Sequence, residues 1–188
     1  MEGKRSEMKL CSALVFMVSA FLLSAGEFRI DLVSRKSDID LEIQKTSGNF
    51  KVINSPWLKE KRNQRIEIRG ETIDNWKLFS FTFMPSKSGN VIFRICGPYV
   101  KPGMHPKVCA YDHFKAKGTK IKNGSFEDEV PSHGWVPGWN TRNSLMTGDA
   151  ADGSCYMLAC YPKGCTQYLS VKAGVPVTIS FMAKNAIW

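Results

Sequence analysis

The residues of this chain best suited to chemistry are aromatic and polar groups placed in loops. Trp57, Tyr99, Trp139 and Tyr161 each lie in a stretch punctuated by Gly or Pro. An exposed aromatic face stacks on the apolar face of a pyranose, and polar neighbours take its hydroxyl groups. Asn140 and Arg142 follow Trp139 and are the nearest such neighbours. These six side chains form the candidate set for sugar contact. A basic stretch, Lys59, Lys61, Arg62, Arg65 and Arg69, is interrupted by Glu60 and Glu67. Alternating charge of this kind reads as a solvated strand or loop, or as a landing site for sulfated or uronic-acid polymers.

Acid–base and nucleophilic chemistry finds no such support. Glycoside hydrolysis needs two carboxylates about 5–9.5 Å apart across a cleft. Glu127, Asp128 and Glu129 are consecutive and alternate between faces, so they cannot form that pair alone. His105, His113 and His133 lie near no G-x-S-x-G, HExxH or Cys–His signature, and no Gly-rich phosphate loop occurs. The expectation is a protein without catalytic function.

Five cysteines follow residue 26. Cys96 ends one expected strand and Cys109 opens the next, so a disulfide between them is the first expectation, if their Cα atoms lie within about 7 Å. Cys155, Cys160 and Cys165 are spaced C-x4-C-x4-C. Three thiols fall short of the four ligands of a structural zinc, so two of them are expected to pair.

The N-terminus places these groups in a compartment. Residues 1–9 are net positive, and Leu10 to Ala25 is an uncharged, largely apolar run. A membrane span needs about 20 apolar residues. The shorter run fits a signal peptide of residues 1–26, with Ser24 and Gly26 at the cleavage positions and Glu27 first in the mature chain. A secreted protein, extracellular or periplasmic, is expected, with no membrane span after signal removal. The chain has 188 residues, 43% of them apolar, with 26 Lys and Arg against 17 Asp and Glu. Residues 1–26 hold three of those cations and two of the anions, so the mature chain carries 23 against 15, or +8. In an exported protein this charge favours an anionic polysaccharide or a cell surface over nucleic acid.

Strands must position these groups. Apolar residues alternate with polar ones at Phe28, Ile30 and Leu32, at Ile39, Leu41 and Ile43, and at Ile66 and Ile68. Phe79, Phe81 and Phe83 lead through a Ser-Lys-Ser-Gly-Asn turn to Val91, Phe93 and Ile95, which predicts an antiparallel hairpin over 77–96. Residues 108–116 and 121–129 look strand-like on either side of Lys117-Gly118-Thr119-Lys120, and Val177 to Ala183 alternates again. No helical stripe follows the signal segment. The fold class is all-β, a β-sandwich.

A family resemblance begins at the 117–120 junction. Asn123-Gly124-Ser125-Phe126-Glu127, then Gly134-Trp135 and Trp139, resembles the opening of a galactose-binding-like jelly roll, as in carbohydrate-binding module families 4 and 9. The segments 167–174 (QYLSVKAG) and 177–184 (VTISFMAK) are similar to the strands that follow in that family. Its later strands resemble segments upstream, 75–83 (NWKLFSFTF) and 108–114 (VCAYDHF). The pattern thus covers 27–188 with its halves exchanged. Trp76 and Trp135 match structural positions and are expected in the core.

Three arrangements fit this order. They are a complete module over 27–118 followed by an incomplete one over 119–188, a single circularly permuted sandwich over 27–188, and a piece of a larger multimodular glycoside hydrolase. The resemblance implies carbohydrate binding, with a polysaccharide or cell-surface glycan as partner. It also implies a structural calcium held by Glu127 and Asp112, a pair that can share a site only if the halves fold together. A structural or adhesive module without a sugar site is the rival from another class.

Overall fold

The computed structural model describes residues 26–34, 39–54, 64–105, 107–130, 135–141 and 145–187. The expected signal peptide, Trp57, Arg142 and residues 59–62 of the basic stretch lie outside the described residues. Those described form two antiparallel sheets packed face to face, an all-β sandwich, and contain no helix. Accordingly, no helix among them is long and apolar enough to cross a membrane. The five-stranded sheet consists of β1 (Gly26–Ser34), β3 (Phe50–Asn54), β4 (Gln64–Thr72), β6 (Gly89–Cys96) and β10 (Cys165–Val171), in the order β10-β6-β1-β4-β3. The six-stranded sheet consists of β2 (Leu41–Ser47), β5 (Lys77–Pro85), β7 (Val108–Lys117), β8 (Leu145–Thr147), β9 (Cys155–Cys160) and β11 (Val177–Ala186), in the order β2-β5-β11-β7-β9-β8.

The alternation read from the sequence produces these strands because each sheet has one apolar face. Phe28, Ile30 and Leu32 of β1 face Phe79, Phe81 and Phe83 of β5 and Phe181 of β11 across the core. The expected 77–96 hairpin is corrected. Both strands exist, but β5 pairs with β2 and β11, whereas β6 pairs with β1 and β10. The turn at 86–88 therefore carries the chain from one sheet to the other. A hairpin and such an arch present the same alternation, since in both cases every second residue is buried.

The division at residue 118 is also corrected. Strands from either side of it share both sheets: β10 pairs with β6, and β11 lies between β5 and β7. Neither half could bury its apolar face alone. Gly118 makes a tight turn within this one sandwich. Its φ is +84°, and a Cβ there would lie 2.2 Å from the Pro176 carbonyl oxygen. The expected strand over 121–129 is a turn instead. Asn123 and Phe126 have φ of 45° and 60°, and this bend drops the Phe126 ring into the core.

One side chain ties the two sheets together at the end where β6 gives way to β7. Tyr111 of β7 is fully buried and reaches across to the β1–β6 pair, where Arg29 stands opposite Cys96. Its hydroxyl donates to the Cys96 carbonyl oxygen at 2.5 Å and accepts the Arg29 N–H at 3.0 Å. The same crossing explains why the expected Cys96–Cys109 disulfide is not formed. Cys96 closes a strand of the five-stranded sheet and Cys109 lies in a strand of the other, so the 97–107 connection spans the sandwich. Both are free thiols, as are Cys155, Cys160 and Cys165. Cys109 instead turns toward the Lys184 carbonyl oxygen, 3.4 Å away.

Removing the Tyr111 hydroxyl strands a buried donor and a buried acceptor, which costs about 1–3 kcal/mol. Tyr111→Phe is expected to lower the free energy of unfolding by that amount in urea titrations, with an unchanged slope. A value equal to the wild type would show that the bridge carries no stability.

Candidate functional site

Two of the six expected sugar-contact residues meet at the end of the sandwich that Tyr111 closes. Tyr99 lies in the β6–β7 connection and Tyr161 in the β9–β10 connection, and both connections cross between sheets at this end. Their rings stand edge to face, with centroids 5.1 Å apart. The Arg29 guanidinium lies 5.0 Å from the Tyr161 ring centre. Arg94 of β6 donates to the Pro162 carbonyl oxygen and pins the turn that carries Tyr161. Gly164 permits that close seating, because a Cβ there would meet Arg94 Nε and Cys96 Sγ at 2.6 Å. Tyr99 keeps 51% of its surface exposed.

Beneath this pair runs a ladder of charges on the outer face of the five-stranded sheet. The register places Lys51, Arg69, Arg29 and Cys96 in one row across the strands, and Ile53, Glu67, Asp31, Arg94 and Thr166 in the next. Arg29 bridges Asp31 at 3.1 Å and Glu67 at 2.7 Å, and Arg65 bridges Asp31 at 2.7 Å. Arg69 pairs with Glu67, and with Glu27 at 3.5 Å. Burial pushes the Asp31 carboxyl up, against the pull of Arg29. Burial alone would lower the Arg29 value, but Asp31 and Glu67 outweigh it and raise it. Arg65 Nε is left as a buried donor without a partner. The Cys96 thiol in this ladder is pushed by burial up to about 12, so it is an inert, protonated group at neutral pH.

The other expected contacts are placed differently. Trp139 is a correction, since it is only 3% exposed and packs against Phe126, Phe114 and Phe93. Its indole N–H donates to the Asn123 carbonyl oxygen, so it holds the Asn123–Phe126 turn in place and has no face to offer a sugar. Asn140 is exposed, and its backbone N–H caps the free edge of β10 at the Thr166 carbonyl. Trp76, expected in the core, is only partly buried outside the six-stranded sheet. The Lys184 ammonium lies 4.6 Å from its ring centre and 5.4 Å from that of Tyr156. Trp135 is likewise only partly buried. Sequence reasoning missed Arg29, Arg94 and Tyr168. Each occupies a polar position of an alternating strand, which reads as solvent-facing whatever else it does.

The expected calcium pair does come to a common structure, the 148–154 loop between β8 and β9. Asp112 accepts the N–H groups of His113, Ala151 and Asp152. Glu127 accepts those of Ser154 and Cys155, and the Ser154 hydroxyl. This donor set does not fit a shared cation, because the carboxylate oxygens it would need already accept N–H and hydroxyl groups of the loop. No group of three His, Cys, Asp or Glu side chains among the described residues is arranged to hold a metal ion either. The two carboxylates instead anchor the loop. Burial raises the Asp112 value despite its three N–H partners. The Cys155 and Ser154 amides hold Glu127 below its ordinary 4.5.

The chain matches no protein-family model, no curated protein and no solved structure.

A carboxylate lowered on folding adds stability above its unfolded value, and that stability is lost as pH falls through the folded value. Glu127→Gln is therefore expected to lower the melting temperature at neutral pH, with the gap closing below about pH 4. A chelator should leave the wild-type melting temperature unchanged. A drop on chelation would restore the calcium site.

Proposed function

We propose that this chain is an exported, non-catalytic carbohydrate-binding protein built on a galactose-binding-like jelly roll. The observation that carries this reading is the Tyr99–Tyr161 pair seated on Arg29. Stacking on a pyranose needs an aromatic face held in place, and these rings are held by loops crossing at the closed end of the sandwich. Arg94, only partly buried beside the turn that carries Tyr161, offers guanidinium donors of the kind that sugar hydroxyls require. The two-sheet antiparallel sandwich and the residues from Asn123 to Glu127 that shape its core turn support the jelly-roll assignment. The proposed binding partner is a polysaccharide or cell-surface glycan, and the proposed location is extracellular or periplasmic.

A second reading has its own observation. The edge strands β2 and β3 flank an open depression of about 410 Å³ that includes Ile43, Val52 and Ile66. Such an edge suits an adhesive module that pairs with another protein.

Binding of residues 27–188 to a glycan array separates the two. Tyr99→Ala and Tyr161→Ala are each expected to weaken glycan binding by about 1 kcal/mol, roughly fivefold, without lowering the melting temperature. A folded sample that binds no glycan and self-associates in sedimentation would favour the adhesive module.

A further inference from the structure

The acidic residues of this chain are distributed unevenly. No Asp or Glu occurs from Asn75 to Tyr111 or from Gly153 to Trp188, although Lys and Arg recur through both stretches. The fold lays these two acid-free runs side by side. In the β6–β10 pair Cys165 stands opposite Ile95, and Val171 opposite Gly89. At one end, the Tyr99 and Tyr161 loops add Lys101, Lys107 and Lys163, all exposed. At the other, Lys172 follows β10 beside the β5–β6 turn, where Ser88 accepts the Ala173 N–H at 3.0 Å.

The free edge of β10 is covered by a third basic segment. Thr119 donates to the Ser170 carbonyl oxygen at 2.8 Å, and the backbone of Lys122 exchanges two hydrogen bonds with the Gln167 amide. These contacts bring the exposed Lys120 and Lys122 alongside the strand. Tyr168, midway along β10, is 69% exposed. The carboxylate one strand further in, Asp31, is buried and already paired with Arg29 and Arg65.

We propose that the β10 edge binds a linear acidic polysaccharide, one bearing sulfate or uronic-acid carboxylate groups. This deepens the carbohydrate reading and rests on it. The cations are strung along a strand about 24 Å long instead of converging on one point. That length exceeds the screening distance of roughly 8–10 Å at physiological salt, so one small anion cannot engage them together. A polymer with repeated charge can. Tyr99, Tyr161 and Tyr168 give its sugar rings faces to lie on, and the lysine ammonium groups meet its acid groups.

The test uses residues 27–188, with heparin and polygalacturonate as acidic probes, dextran as the neutral probe and a single-stranded oligonucleotide as the competing polyanion. The expected result is binding to an acidic glycan that weakens tenfold or more from low to high salt. The triple variant Lys101→Ala, Lys163→Ala, Lys172→Ala should weaken this binding about tenfold and cut the salt slope by roughly two to three. Lys45→Ala with Lys115→Ala, on the opposite sheet, should leave it unchanged. Salt-resistant binding to dextran alone would overturn the acidic ligand while leaving the carbohydrate reading intact. Tighter binding to the oligonucleotide than to either acidic glycan would overturn the ligand class. Loss of binding in the opposite-sheet variant, but not in the triple variant, would overturn the location. No binding to any glycan would remove both readings.

Discussion

The structure depends on a layer of aromatic rings that separates its two sheets. Phe28 lies 4.7 Å from Phe79, Phe79 lies 5.6 Å from Phe181, and Phe181 lies 5.4 Å from Phe114. Phe114 continues the chain to Trp139 and Phe126. Rings at these spacings contribute beyond the area they bury. They also dictate connectivity, because β1, β5, β7 and β11 must bring their rings to one plane. That requirement draws strands from both halves of the sequence into each sheet. Trp139 follows from it too, since its ring closes the layer at the turn of Asn123 to Phe126.

Arg29 links this interior to the surface. Its backbone N–H is bound by the Tyr111 hydroxyl, and its guanidinium joins Asp31 and Glu67 on the opposite face of the same sheet. Tyr161 then rests on that guanidinium. The position of the tyrosine pair, with Tyr99 exposed and Tyr161 partly buried, is thus inherited from the core through one residue. Buried ion pairs of this kind add little net stability, yet breaking one strands a charge. Their contribution here is to hold the geometry at the end where the loops cross.

The loop at 148–154 shows the same use of charge for placement. Asp112, Glu127 and Lys184 each bind it, the first two through its amides and Lys184 through the Asp149 carbonyl and carboxylate. Trp76 adds its indole N–H to the Asp149 carbonyl at 3.0 Å. A segment rich in Ala, Asp and Gly has no apolar face of its own to pack. It is held against the six-stranded sheet by hydrogen bonds from side chains that would otherwise read as surface charges.

The sequence by itself determined many of the strands and their buried faces, though not β3, β8 or β9. Period-two alternation at Phe28–Leu32, Ile66–Ile68, Phe79–Phe83, Val91–Ile95 and Val177–Ala183 is a local property, and each of these segments is a strand with those residues inside. It also singled out Tyr99 and Tyr161, whose Gly and Pro neighbours mark loops. Only the tertiary structure decided which strands pair. Burial of alternate residues is satisfied equally by a hairpin and by an arch, so 77–96 and the 118 boundary were not legible. The same holds for Trp139 and for the Asp112–Glu127 pair. Whether a loop tryptophan faces solvent, or a carboxylate faces a cation or an amide, depends on groups distant in the chain. Arg29 is the clearest instance. Its sequence context is one polar residue of an alternating strand, and its role arises from Tyr111, Glu67 and Tyr161, which the fold alone brings to it.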